Sequence, residues 1–218
     1  MFRSLLLLLS LSTCLTALAQ KGFVEAKVTL KDGTIKKGLI KPMKTGSEKT
    51  LDYLANKEAE KEKIPTEQIE EYSIIDENGS ARYVKRKEYN YTKTKVKPTA
   101  FWVQELVQGE ASLYVSYTPD SRIYTNNGMA HGMPSDITFY GMKKGDEAMT
   151  LIGVYFTGAF NLNANSSFRN QAAKFFEDEQ KIVERIKNEE FKLVESVRLF
   201  EAYNELKGGK AVKMKRSN

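Results

Sequence analysis

The sequence predicts an α+β protein in which short strands come first and helices last. Two observations carry this prediction. Runs of alternating apolar and polar residues, broken by Asp-Gly, Asn-Gly and Lys-Gly-Asp turns, extend from about residue 23 to residue 156, and apolar residues recur at helical spacing after residue 166. The 41% hydrophobic and 28% charged residues are those of an ordinary globular chain, away from disordered or polytopic membrane composition.

The chain opens with Met1-Phe2-Arg3, an apolar run from Leu5 to Leu18, and Ala17-Leu18-Ala19 before Gln20. One positive charge, a short apolar stretch and a small-x-small site predict a secretory signal peptide over residues 1–19, leaving 199 of the 218 residues. A membrane anchor is the alternative, although a spanning helix needs about 20 apolar residues. Cys14 follows Leu11-Ser12-Thr13, which loosely resembles a bacterial lipoprotein signal, but Thr13 and the apolar Leu15–Leu18 fit that signal poorly. Cleavage after Ala19 removes the single cysteine, and with it any disulfide, thiol nucleophile or thiolate metal site.

Residues 20–95 read as a small β module. Val24, Ala26, Val28 and Leu30 alternate with Glu25, Lys27 and Thr29, so one strand face is apolar. Lys31-Asp32-Gly33-Thr34 supplies a hairpin turn, and the chain returns through Ile35 to Ile40 and stops at Pro42. Further short strands are expected at Thr50–Leu54, Lys63–Pro65, Glu71–Ile75 and Ala81–Arg86, the last two joined by Asn78-Gly79. The spacing suits a small, strongly bent barrel of the SH3-like or Sm-like kind; a partly open sheet gives the same pattern.

Residues 96–165 read as a central antiparallel sheet. Phe101–Val107 and Ser112–Tyr117 flank Gln108-Gly109-Glu110-Ala111, a hairpin apolar on both faces and therefore expected to be covered on both. Strands are also expected at Ser121–Tyr124, Ile137–Met142 and Met149–Phe156, with Asn126–Ser135 an exposed loop. Residues 166–207 form a helical cluster in three stripes: Phe168, Ala172, Phe175 and Phe176 behind Ser166 or Ser167 as N-cap, then Ile182, Val183 and Ile186, then Leu193, Val197, Phe200 and Leu206. Gly208-Gly209 ends it, and residues 208–218 are expected to be a basic disordered tail.

Arg3 and the tail residues Lys210, Lys213, Lys215 and Arg216 carry five of the six net positive charges, so the body is nearly neutral. A neutral body lacks the basic face that nucleic-acid binding requires. The tail is at most a contact for anionic head groups or an acidic partner.

The order of these parts, with the strand pair Thr29–Gly38, the hairpin Phe101-Trp102-Val103-Gln104-Glu105-Leu106-Val107-Gln108-Gly109-Glu110-Ala111-Ser112-Leu113-Tyr114 and the closing helices, resembles a group of uncharacterised secreted proteins from Bacteroidota. The resemblance covers most of the mature chain. It implies a periplasmic or outer-membrane-associated location, no established activity and no catalytic residues. It also implies an Asp-Cys-Pro after the first C-terminal helix and a cysteine near the end. Here the first place holds Glu177-Asp178-Glu179-Gln180, and no cysteine lies near Asn204.

Chemistry-bearing residues are sparse. His131 is the single histidine, flanked by Gly128, Met129, Gly132 and Met133; a general base needs an orienting partner and a metal needs more ligands, so it reads as a loop histidine. No Gly-x-Ser-x-Gly elbow and no Gly-rich phosphate loop occurs, and no cofactor is expected. The adjacent acids Glu70-Glu71, Asp76-Glu77, Glu177-Asp178-Glu179 and Glu189-Glu190 read as solvated turns and helix faces. Trp102 with Tyr114, Tyr117, Tyr124 and Tyr140 offers either an aromatic platform for sugars or a core beneath the helices.

These observations favour a non-enzymatic exported envelope protein, an accessory subunit of a periplasmic or outer-membrane assembly with an envelope protein as partner. Candidate contact residues are Trp102, Tyr114, Tyr117 and His131. The alternatives are a glycan-binding module around Trp102 and a carboxylate-dependent hydrolase.

Overall fold

The computed structural model describes residues 22–43, 48–77, 79–90, 92–118, 123–126, 129–132, 136–156, 163–209 and 212–213. The predicted leader with Cys14, and the turn residue Asn78, lie outside them. The fold is α+β, with antiparallel strands followed by three helices. Two compact units divide after Asp76, not near residue 95 as the sequence predicts, because the strand Gly79–Arg86 pairs with Phe101–Gln108. Among the described residues no helix is long and apolar enough to cross a membrane.

The first unit holds β1 (Val24–Leu30), β2 (Ile35–Ile40), β3 (Thr50–Leu54), β4 (Glu62–Pro65) and β5 (Ile69–Asp76), in the order β5-β1-β2-β3-β4. Ala26 and Val28 face the core with Ile40, Leu51, Ile64, Ile69 and Tyr72, as the period-two pattern requires. The β1–β2 turn uses Gly33 at φ +86°, while Asp32 Oδ1 accepts from the Thr34 N–H at 2.8 Å. Closure of this unit into a barrel is not observed: the register pairs β1 with β2 and β5, β2 with β3, and β3 with β4, and among the described residues β4 does not pair with β5.

The second unit holds β6 (Gly79–Arg86), β7 (Phe101–Gln108), β8 (Ala111–Thr118), β11 (Asp136–Lys143) and β12 (Thr150–Phe156), ordered β12-β11-β8-β7-β6. A separate ribbon joins β9 (Ile123–Asn126) to β10 (Met129–Gly132), so part of the stretch expected as a loop is extended and paired. The helices are α1 (Ala164–Phe175), α2 (Gln180–Lys187) and α3 (Ser196–Leu206), with a short 3₁₀ turn at Leu193–Glu195. Helix α1 starts two residues before the predicted cap, behind Asn163, and Ser166 and Ser167 lie in its first turn.

One sheet face packs on the helices. Leu113, Val115, Phe139 and Ile152 meet Phe168, Phe175, Phe176, Ile186 and Phe200 there. The rings of Phe175 and Phe200 lie 5.7 Å apart, and Gly141 opposes them because a side chain there would meet Phe175 at 2.8 Å and Phe200 at 2.9 Å. The other face carries a smaller core of Val84, Val103, Tyr114, Tyr140 and Met149. Both faces of the β7–β8 hairpin are therefore buried, as its composition predicts. The tail is not wholly irregular: Val212 and Lys213 (β13) pair with Gln108 and Val107.

Candidate functional site

On the face of the second unit away from the helices, β6, β7, β8 and β11 floor a cavity of about 530 Å³. Its geometry follows from the strand period. Arg82, Val84 and Arg86 alternate on β6 and so project to one side. The register sets Arg82 opposite Glu105, and Glu105 opposite Tyr114. Glu105 is 1% exposed and pairs with the Arg82 guanidinium. A buried carboxylate is stable only with such a partner.

The β7–β8 and β11–β12 turns complete the rim with Glu110, Lys143 and Lys144. Lys144 pairs with Glu110 at 3.3 Å, while Lys143 reaches away to Asp178. The Arg86 Nη1 donates to the Lys85 carbonyl at 3.0 Å, and its guanidinium carbon lies 5.7 Å from the centre of the Tyr114 ring. Burial pushes the Tyr114 hydroxyl above its ordinary pKa, with the Glu105 charge adding to it, so the phenol stays a neutral donor. Each carboxylate that lines the cavity among the described residues is paired with a cation.

The first unit bears a second concavity, of about 420 Å³, on the outer face of β2, β1 and β5. Leu39 and Ala55 line it with Ile75, which is 42% exposed, and Glu25, Lys37 and Lys57 stand at its rim.

The predicted contact residues Trp102, Tyr114 and Tyr117 differ in exposure. Trp102 is 4% exposed and Tyr114 3%, whereas Tyr117 is 49% exposed. Among the described residues the Trp102 and Tyr114 rings are therefore not part of an exposed aromatic row. Their apolar area goes into packing instead. His131 lies on β10 opposite Tyr124, and its side chain lies outside the described residues. Of the four, Tyr114 alone lines the cavity of the second unit.

Sequence reading missed Arg82, Arg86 and Glu105. The available signals were an Arg-x-Val-x-Arg alternation in one strand and a lone charge inside the apolar strand Trp102–Val107. No family model, no curated protein and no solved structure matches the chain.

Proposed function

We propose that this is a non-enzymatic exported protein of the cell envelope that works by contact, as an accessory subunit of a periplasmic or outer-membrane assembly. It stands with the secreted Bacteroidota proteins whose strand and hairpin pattern it resembles. The observation that carries the reading is the concavity on the first unit, where Ile75 and Leu39 present apolar surface inside a rim of both charge signs. An apolar centre with a polar rim is how protein contact surfaces are built. The partner is an envelope protein that inserts an apolar side chain there and meets Glu25, Lys37 and Lys57 around it.

The same reading takes the first unit as a strongly bent, half-open sheet of the SH3-like or Sm-like class. Its strand order supports this. So does Lys36 on β2, which lies over the Tyr53 ring and pairs with Glu62 on β4 at 2.7 Å, bridging two strands that β3 separates.

The test is mild-detergent purification of the tagged protein from its native envelope, with mass spectrometry of the partners and of the mature N-terminus. A stoichiometric envelope protein is expected with wild type and with Val194→Glu, an exposed apolar site in the second unit, and is expected to be lost with Ile75→Glu. The N-terminus is expected at Gln20. A protein recovered alone, or a partner indifferent to Ile75→Glu, overturns the contact reading, and an intact Met1 overturns export.

A further inference from the structure

The outer face of the first unit carries two like charges side by side. The register sets Lys27 on β1 directly opposite Lys37 on β2, and the strand period turns both away from the core that Ala26 and Val28 enter. Like charges directly opposite each other on a sheet are destabilising. Lys36, on the other face of β2, is held by Glu62 at 2.7 Å, but among the described residues no ion pair joins Lys27 or Lys37 to a carboxylate. Glu71 shares their face through its register with Thr29 and is engaged elsewhere. A negative charge brought from outside between the two lysines removes their repulsion.

We infer that the partner engages this face with an extended acidic segment, seating a carboxylate between Lys27 and Lys37 and an apolar side chain over Leu39 and Ile75. The inference rests on the contact reading above and names the chemistry of the partner for that surface. Lys37 and Leu39 are alternate residues of β2 and so about 7 Å apart, which is also the spacing of alternate side chains on an extended partner. Ile35, the next alternate residue and 54% exposed, takes a second apolar side chain. The matching pattern is therefore apolar-x-acidic-x-apolar. Glu25 stands opposite Leu39 and repels an acidic residue placed there, so the charges also fix the register of the segment.

The probe is the capped peptide Thr-Leu-Thr-Glu-Thr-Leu-Thr, titrated into the whole chain and followed at the backbone and methyl resonances of β1, β2 and β5, beside the same peptide with Gln for Glu. Saturable binding of the Glu peptide is expected at about 1 mM or below, weakening as salt rises from about 0.05 M to about 0.5 M. The Gln peptide, and the Glu peptide on Lys27→Gln or Lys37→Gln, are each expected to bind about threefold more weakly or worse. Lys187→Gln, an exposed cation of the second unit, is expected to leave binding unchanged. In the free protein Lys37→Gln is expected to raise the urea midpoint by relieving the repulsion.

No saturation by about 10 mM, equal binding of the two peptides, or a lowered midpoint for Lys37→Gln overturns the inference. So does binding of phosphatidylglycerol vesicles with the same lysine dependence, which makes the face a lipid contact, or a dimer of this chain that Ile75→Glu breaks. These failures are separable from failure of the contact reading, which is decided by whether Ile75→Glu loses the envelope partner.

Discussion

Asn204, fully buried on α3, holds Ala111 at the tip of the β7–β8 hairpin as a neighbouring strand would. The Ala111 N–H donates to Asn204 Oδ1 at 2.8 Å, and Asn204 Nδ2 donates to the Ala111 carbonyl at 2.9 Å. One side chain thus satisfies both polar groups of a buried residue and ties the last helix to the sheet. Gly109 makes room for it, since a Cβ there would lie 2.4 Å from Asn204 Nδ2.

Replacing Asn204 by Ala removes both bonds and leaves two buried backbone groups unmatched, at a cost of about 3 kcal/mol. Urea unfolding measures it, and a loss below about 1 kcal/mol contradicts the account. Gly109→Ala is destabilising on its own but less so in the Asn204→Ala background, where the collision is relieved. A double-mutant cycle reads the coupling directly.

The Arg82–Glu105 pair gives a second expectation. Truncating Arg82 to Ala strands a carboxylate that is 1% exposed, so stability falls by about 3 kcal/mol even though Arg82 is partly solvated. The double replacement Arg82→Met with Glu105→Leu removes both charges and recovers most of that loss. If the single and double variants are equally unstable, shape rather than charge governs the site.

Asp178 sets the acid sensitivity of the helical layer. Burial opposes its ionisation, but hydrogen bonds from Lys143, Tyr203 and Lys207 outweigh burial and hold its carboxyl well below the ordinary value of 3.8. Because the folded-state pKa is lowered, the stabilisation is fully present above the unfolded-state value. It is lost as pH falls below 3.8 toward the folded value. Between about pH 5 and pH 2 the wild-type urea midpoint is expected to fall more steeply than that of Asp178→Asn. Parallel curves for the two proteins contradict the assignment. The Tyr203 hydroxyl donates to Asp178 Oδ2 at 2.8 Å and so joins the α1–α2 connection to α3.

Much of the local structure was legible because periodicity and turn chemistry are local properties. The alternation Val24 to Leu30 and the turn at Asp32-Gly33 give β1 and β2 within a residue of their observed ends. Phe168, Ala172 and Phe175 mark the inner face of α1, and Gly208, at φ +75°, ends the helical layer as predicted. Boundaries between units were less legible. The strand Gly79–Arg86 reads in sequence as the end of the first module, but its pairing with β7 assigns it to the second.

What the sequence by itself determined was the period of each segment: which stretches are strands, which are helices, and which side chains on each are apolar. What only the tertiary structure decided was company. Whether Trp102 is a sugar platform or a packed ring depends on what covers β7, and the fold buries it. Whether Arg82 is another surface cation or the partner of a buried carboxylate depends on Glu105, which lies 23 residues away along the chain. Periodicity is written residue by residue, but charge matching and burial are properties of neighbours in space, and strand register brings those neighbours together.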